Sequence, residues 1–256
     1  MTIFPTAFTY FSIAIIAFLI GIIINAYMCW IPHKLQHQWQ QQAQVLLGQT
    51  TITLPYPSLS LNYKTWLHQT CHACAIQPNW RYLYLGSLSC VLSLSIVAYF
   101  GLHWATSANL VLMWGLLLLA GIDSKYYLLP DALTLSLLWL GLLLNTHDLF
   151  VPLQQAVVGC AVGYLSLWLV AYLFERYRGV AGLGQGDVKL FALFGAWWGP
   201  APLLYLLLIA SISGVVVGGM MLWRRKQHYQ QVLPFGPYLA ASGLVIMFLR
   251  GHLCLQ

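Results

Sequence analysis

Charge is what this chain has least of. Asp, Glu, Lys and Arg together make up 6% of its 256 residues, and only five of these are acidic. A soluble domain carries about 25% charged residues, and one of this length could not hide an apolar content of 60%. That excludes an ordinary soluble fold and places most of the chain in lipid. Cysteine is also sparse: six are scattered along the chain, and only Cys71 and Cys74 form a close pair. A secreted disulfide framework is therefore excluded. Period-two alternation of polar and apolar residues is missing, which argues against a membrane β-barrel. The net charge of +6 does not call for nucleic acid, because membrane proteins gather Lys and Arg on one face for another reason.

What is present is a series of apolar runs. A helix crossing the bilayer core needs about 20 such residues. Eight runs qualify or nearly so: 8–28, 82–102, 107–122, 131–147, 152–174, 187–198, 200–223 and 235–250. The fold class expected is all-α, a polytopic membrane protein with about eight transmembrane helices. The sixth run is short and either stands alone or joins the seventh through a bend at Gly199-Pro200. The first run lacks a basic leader and a small-x-small cleavage site, so it reads as a retained helix. Segment 29–81, rich in Gln, Thr and Pro, reads as a polar loop with little structure of its own. The organisation expected is a first helix at 1–28, the loop at 29–81 and a membrane domain at 82–256.

The basic residues orient this scheme. Lys34, Lys64, Arg81, Lys125, Arg176, Arg178, Lys189, Arg224, Arg225 and Lys226 all fall on one side, and Arg250 falls on the other. The positive-inside rule makes the first side cytoplasmic and puts both termini outside. A missed helix would have scattered these charges over both faces.

Of the five acids, Asp148 stands alone on the outer side, and Glu175 reads as a helix-end ion pair with Arg176. Asp123, Asp131 and Asp187 lie at cytoplasmic helix ends. A carboxylate next to hydrocarbon is costly and usually has a partner or a function. Asp123 ends a long apolar run, and Asp187 opens a helix after Gly182-Leu183-Gly184-Gln185-Gly186. Two such groups at one depth suggest a pair that shares a proton, the arrangement that lets one carboxylate activate water while the other donates to a carbonyl. Gly184 and Gly186 would let an extended substrate strand approach. The plainer reading is a tight turn entering a helix, with Asp187 favoured beside the positive end of the dipole.

The residues around these aspartates resemble a known family. Gly121-Ile122-Asp123-Ser124-Lys125-Tyr126-Tyr127-Leu128-Leu129-Pro130-Asp131 resembles the first aspartate motif of the type IV prepilin peptidases, and Gly184-Gln185-Gly186-Asp187 their Gly-x-Gly-Asp motif. Phe194-Gly195-Ala196-Trp197-Trp198-Gly199 and Pro234-Phe235-Gly236-Pro237 are further matches, as are Gly21, Asn25, Tyr27 and Pro32 in the first run. The resemblance implies a bacterial inner-membrane aspartyl endopeptidase, with Asp123 and Asp187 catalytic. It would cut the basic leader from type IV prepilins and type II secretion pseudopilins on the cytoplasmic side, with no cofactor for that step. Asp131 and Lys189 match recurrent positions; Asp131 reads as a helix cap, and Lys189 as a tuner of the pair or a residue snorkelling to the interface.

Many members also N-methylate the mature pilin using S-adenosylmethionine, and carry two Cys-x-x-Cys pairs that resemble a zinc site. Here only Cys71-His72-Ala73-Cys74 is present. Zinc at Cys71 and Cys74 would need two more ligands from His68, His72, Cys29, His33 or His37; a reduced pair without metal is the alternative. The Arg-Gly-Arg before the second pair is absent, Gly86 stands where the family has a glutamate, and Val180-Ala181 stand at the site of another. Methylation is left open by these departures.

Three competing readings share some of the pattern. A proton- or cation-coupled transporter would place its acids at the midplane or show inverted repeats. A catalytically inactive assembly factor of a pilus or secretion apparatus would not need both aspartates. A presenilin-type protease shares Gly-x-Gly-Asp but not Leu129-Pro130-Asp131. His103, His147 and His252 lie at outer helix ends, and Trp197 and Trp198 read as lipid anchors.

Overall fold

The computed structural model describes residues 7–47, 79–179, 182–225 and 234–254. Every regular element among them is helical. Eight α-helices follow one another: α1 (Ala7–Leu46), α2 (Asn79–Phe100), α3 (Trp104–Tyr126), α4 (Asp131–Leu144, running into a 3-10 turn, Asn145–His147), α5 (Leu153–Arg178), α6 (Gln185–Trp198), α7 (Leu203–Arg225) and α8 (Gly236–Cys254). The eight apolar runs each correspond to one helix. Five of the helices are long and apolar enough to cross a membrane: α1, α2, α3, α5 and α7. At 1.5 Å per residue, α4 and α6 reach only about 21 Å, short of the roughly 30 Å bilayer core. The sixth and seventh runs stay separate, because Gly199 takes a positive φ of 75° and breaks the chain direction ahead of α7.

Two compact units divide the chain near residue 98. The first contains α1 and most of α2. Gly21 of α1 lies so close to α2 that an added Cβ would sit 2.7 Å from the Cα of Gly86. Ser89 donates to the carbonyl of Ala17 at 2.9 Å, and both residues are buried. Small residues at a helix contact let backbones approach, the usual solution where lipid offers no hydrophobic driving force. The ring of Phe18 occupies the place of a Cβ on Gly86.

The length of α1 departs from the sequence reading. Its helix does not stop at 28 but runs through Pro32 to Leu46, about 60 Å in all. Polarity had suggested a loop, but Gln, Ala, Leu and Lys are good helix formers, and the first glycine after Gly21 is Gly48. The rest of 29–81 up to residue 78, with Cys71 and Cys74, lies outside the described residues.

The second unit is built around α6. From Val188 to Trp198 all but Lys189 are buried. A helix that is apolar on every side belongs inside a bundle. Its neighbours α5, α4 and α8 meet it through glycine notches. Gly159 and Gly163 of α5 face Gly195, Gly199 and Ala192, backbone against backbone. The indole of Trp197 fills the notch at Gly141 of α4, and the ring of Phe194 fills that at Gly243 of α8. Trp197 Nε1 donates to the carbonyl of Leu137 at 2.9 Å, and Phe194 stacks on Trp198. The two tryptophans are thus core residues, not lipid anchors, with exposures of 0% and 3%.

The C-terminal end of α6 is closed by polar groups. Asn145 donates to the carbonyls of Ala196 (2.9 Å) and Trp197 (3.1 Å), while its Oδ1 accepts from the amides of Phe150 and Val151. Arg250 of α8 donates to the carbonyl of Trp198 at 2.7 Å. These bonds satisfy carbonyls that a helix end leaves without partners.

Candidate active site

The opposite, N-terminal end of α6 holds the acids. Gly184 is the N-cap, so Asp187 is the third helical residue, where its charge meets the positive end of the dipole. Its amide bonds the carbonyl of Gly184 at 3.1 Å. Asp123 lies in the last turn of α3, which closes on Tyr127 in the left-handed region at φ 53°. The two carboxyl-bearing residues are buried, at 6% and 8% exposure, and near enough for the charge of Asp123 to act on Asp187. The structure therefore brings the two sequence candidates together.

Around this pair the contacts are specific. Oδ2 of Asp123 accepts the N–H of Gly236 at 3.0 Å, from the first residue of α8. A Cβ on Gly236 would sit 2.6 Å from that oxygen, so only glycine fits. Oδ2 of Asp187 lies against Gly184, where a Cβ would be 3.1 Å away. Oδ1 of Asp187 is buried and takes no hydrogen bond among the described residues.

Gly186 works differently from the sequence expectation. The space a Cβ would fill is occupied by the side chain of Leu129, 2.7 Å from that point. The missing side chain thus seats the turn between α3 and α4 against α6. It does not leave a track for a substrate strand on that side.

Asp131 and Lys189 pair with each other. Lys189 Nζ donates to both carboxylate oxygens of Asp131, at 2.6 and 2.7 Å. Asp131 is the first residue of α4, and Pro130 is the N-cap with no side-chain cap bond. The cap expected of Asp131 is therefore absent, because its carboxylate has turned to the ammonium. No hydrogen bond joins Lys189 to Asp123 or Asp187 among the described residues. Glu175 is exposed and forms no ion pair among the described residues; adjacent residues on a helix do not face each other, so Arg176 is badly placed for it.

Among the described residues no group of three or more His, Cys, Asp or Glu could hold a metal ion. Gly236 and Leu129 are the site residues to which the sequence assigned no role. Both stood inside quoted motifs, but nothing in their spacing pointed to a partner more than fifty positions away.

The arrangement, two buried carboxyls at neighbouring helix ends with one oriented by a backbone amide, suits hydrolysis by an activated water. The comparisons agree with that chemistry. The model of the type IV leader peptidase family matches residues 110–219, the stretch that carries both aspartates. A prepilin leader peptidase/N-methyltransferase of Stutzerimonas stutzeri is 37% identical, over 95% of this chain and 91% of its own length. Proteins of the same name from Pseudomonas aeruginosa and Dickeya chrysanthemi are 34% and 37% identical, covering 95% and 93% of this chain and 91% and 92% of theirs. No solved structure matches the chain. With a membrane domain of this construction, a buried aspartate pair and relatives that align along almost its whole length, the chain belongs to the type IV leader peptidase family.

Proposed function

We propose that this protein is a membrane aspartyl endopeptidase that removes the basic leader from type IV prepilins and type II secretion pseudopilins, with Asp123 and Asp187 as its catalytic pair. The observation that carries the reading is that pair: two carboxyls from α3 and α6, both buried, with the charge of Asp123 near enough to act on Asp187. The names of the relatives supply the substrate class. The bias of Lys and Arg supports a position for the pair at the cytoplasmic face, and the bacterial relatives support an inner-membrane setting.

The substrate's apolar segment lies in lipid beside the second unit, and its basic leader stays in the cytoplasm. The scissile bond is then presented at the membrane edge. Two carboxyls this close cannot both ionise easily, so they share one proton and titrate as a pair. One takes a proton from water as the oxygen attacks the carbonyl carbon, and the other protonates the carbonyl oxygen. Gly184 and Gly186 hold the turn that presents Asp187. Asp131 and Lys189 support it by tying α4 to α6.

No step of the cleavage is routed through a metal or cofactor. N-methylation, which the relatives' names also carry, would need S-adenosylmethionine, and zinc at Cys71 and Cys74 would belong to that loop. Methylation is a separate activity and is read by the mass of the mature N-terminus.

The test is co-expression with a prepilin, read by the gel shift of the lost leader. Wild type should cut. Asp123→Asn and Asp187→Asn, both recovered in the membrane, should lose activity by at least about 100-fold, the low end for removing a general acid or base. Cleavage that survives either change would overturn the pair. A transporter or an inactive assembly factor would leave the prepilin uncut by wild type as well.

A further inference from the structure

Shared protons do not make the two aspartates equivalent, and which of them takes the proton from water can be argued from their surroundings, given the proteolytic reading. Asp123 receives a hydrogen bond from another helix: the N–H of Gly236, at 3.0 Å, reaches Oδ2. That amide is the first of α8, one of the donors a helix start leaves without an internal partner. It sits at the positive end of the α8 dipole. A donor and a dipole end aimed at a carboxylate favour its charged form. The site is shaped for this contact, since any side chain at 236 would run into Oδ2.

Asp187 differs. It too lies at a helix start, with the backbone of Gly184 at its Oδ2, but among the described residues its Oδ1 is buried with no donor. A buried anionic oxygen with no donor is costly. The same oxygen bearing a proton becomes a donor, ready for a carbonyl. Of the two lysines nearest in sequence to the pair, Lys189 bonds Asp131 and Lys125 lies over the ring of Tyr126 at 4.9 Å.

We infer that Gly236 is a positioning residue that selects Asp123 as the general base and leaves the shared proton on Asp187, the general acid. Asp123 takes a proton from water as its oxygen bonds to the carbonyl carbon. Asp187 gives its proton to the carbonyl oxygen, forming a gem-diol. Asp123 then passes its proton to the departing nitrogen as the C–N bond breaks, and Asp187 recovers a proton from a gem-diol hydroxyl. Water and peptide are consumed, acid and amine are formed, and both side chains return to their starting states.

The experiment replaces the backbone amide at Gly236 by an ester, by incorporating glycolic acid in place of glycine, so that an oxygen stands where the N–H was and no side chain is added. The readout is the pH dependence of kcat/KM for prepilin cleavage in membranes, against wild type. Without its donor, anionic Asp123 protonates more readily, so the acid limb should move up by about one pH unit, a roughly tenfold loss on that side. The alkaline limb should stay. Movement of the alkaline limb alone would make Asp123 the acid and overturn the assignment. Unmoved limbs would overturn the role of Gly236. Failure of wild type to cut would instead overturn the proteolytic reading, and the assignment with it.

Discussion

Helices α5 and α6 pack along one another and have much the same appetite for lipid, yet they occupy opposite environments. α5 buries Ala156, Gly159, Gly163 and Leu167 and leaves Val157, Val158, Val162, Leu165, Leu169 and Val170 exposed. α6 exposes almost nothing. In water this contrast would be written in polarity, because the exposed face would be polar. In a membrane both faces are apolar, and what separates them is size. Glycine and alanine mark the contact, bulky β-branched and aromatic residues the lipid face. Asp187, the proposed catalytic residue, rides on the buried helix, so its position is set by the packing around α6.

That contrast can be broken most severely where the two backbones touch. Gly195→Val should prevent α5 and α6 from closing, with no folded protein recovered from the membrane, whereas Gly219→Val on α7, with nothing within 4 Å of its Cβ position, should leave recovery unchanged. Trp197→Ala empties the notch at Gly141 and strands the carbonyl of Leu137. A buried aromatic truncation costs about 3–5 kcal/mol, read as a lower unfolding midpoint in detergent; the stacked Trp168 on the exposed side of α5 should cost far less when made Ala. Asn145→Leu removes the clip on the far end of α6 and should cost about 1–3 kcal/mol, the range for a buried polar group left without its partner. The smallest effect belongs to Lys189→Gln. Its partner Asp131 is 59% exposed, so screening holds the loss to under about 1 kcal/mol. Cleavage should fall by less than tenfold; a larger loss would mean that Lys189 acts on the aspartates directly.

Several elements were legible from residue order alone. The eight helices followed from apolar runs, because backbone in lipid must satisfy its own hydrogen bonds and so has little choice but to coil. Asp123 and Asp187 stood out because so few acids exist in the chain. The continuation of α1 beyond residue 28 was hidden by polarity, which reports on solvent and not on helix propensity. Trp197 and Trp198 were misplaced because an indole suits an interface belt and a bundle core equally well. Asp131 and Lys189 each had a local explanation, as cap and as snorkelling chain, that their mutual ion pair replaced.

The sequence by itself determined the solvent of this protein, its helical class, the eight helices of its described residues and the identity of its two candidate catalytic acids, since each rests on local composition: apolar length, scarcity of charge, and glycines beside an aspartate. Only the tertiary structure decided which apolar helix faces lipid and which is enclosed, that Leu129 fills the space at Gly186, and that the amide of Gly236 reaches Asp123. Those outcomes depend on distances between residues far apart in the chain, and in a medium where every helix face is apolar, only the fit of small residues against large ones sets such distances.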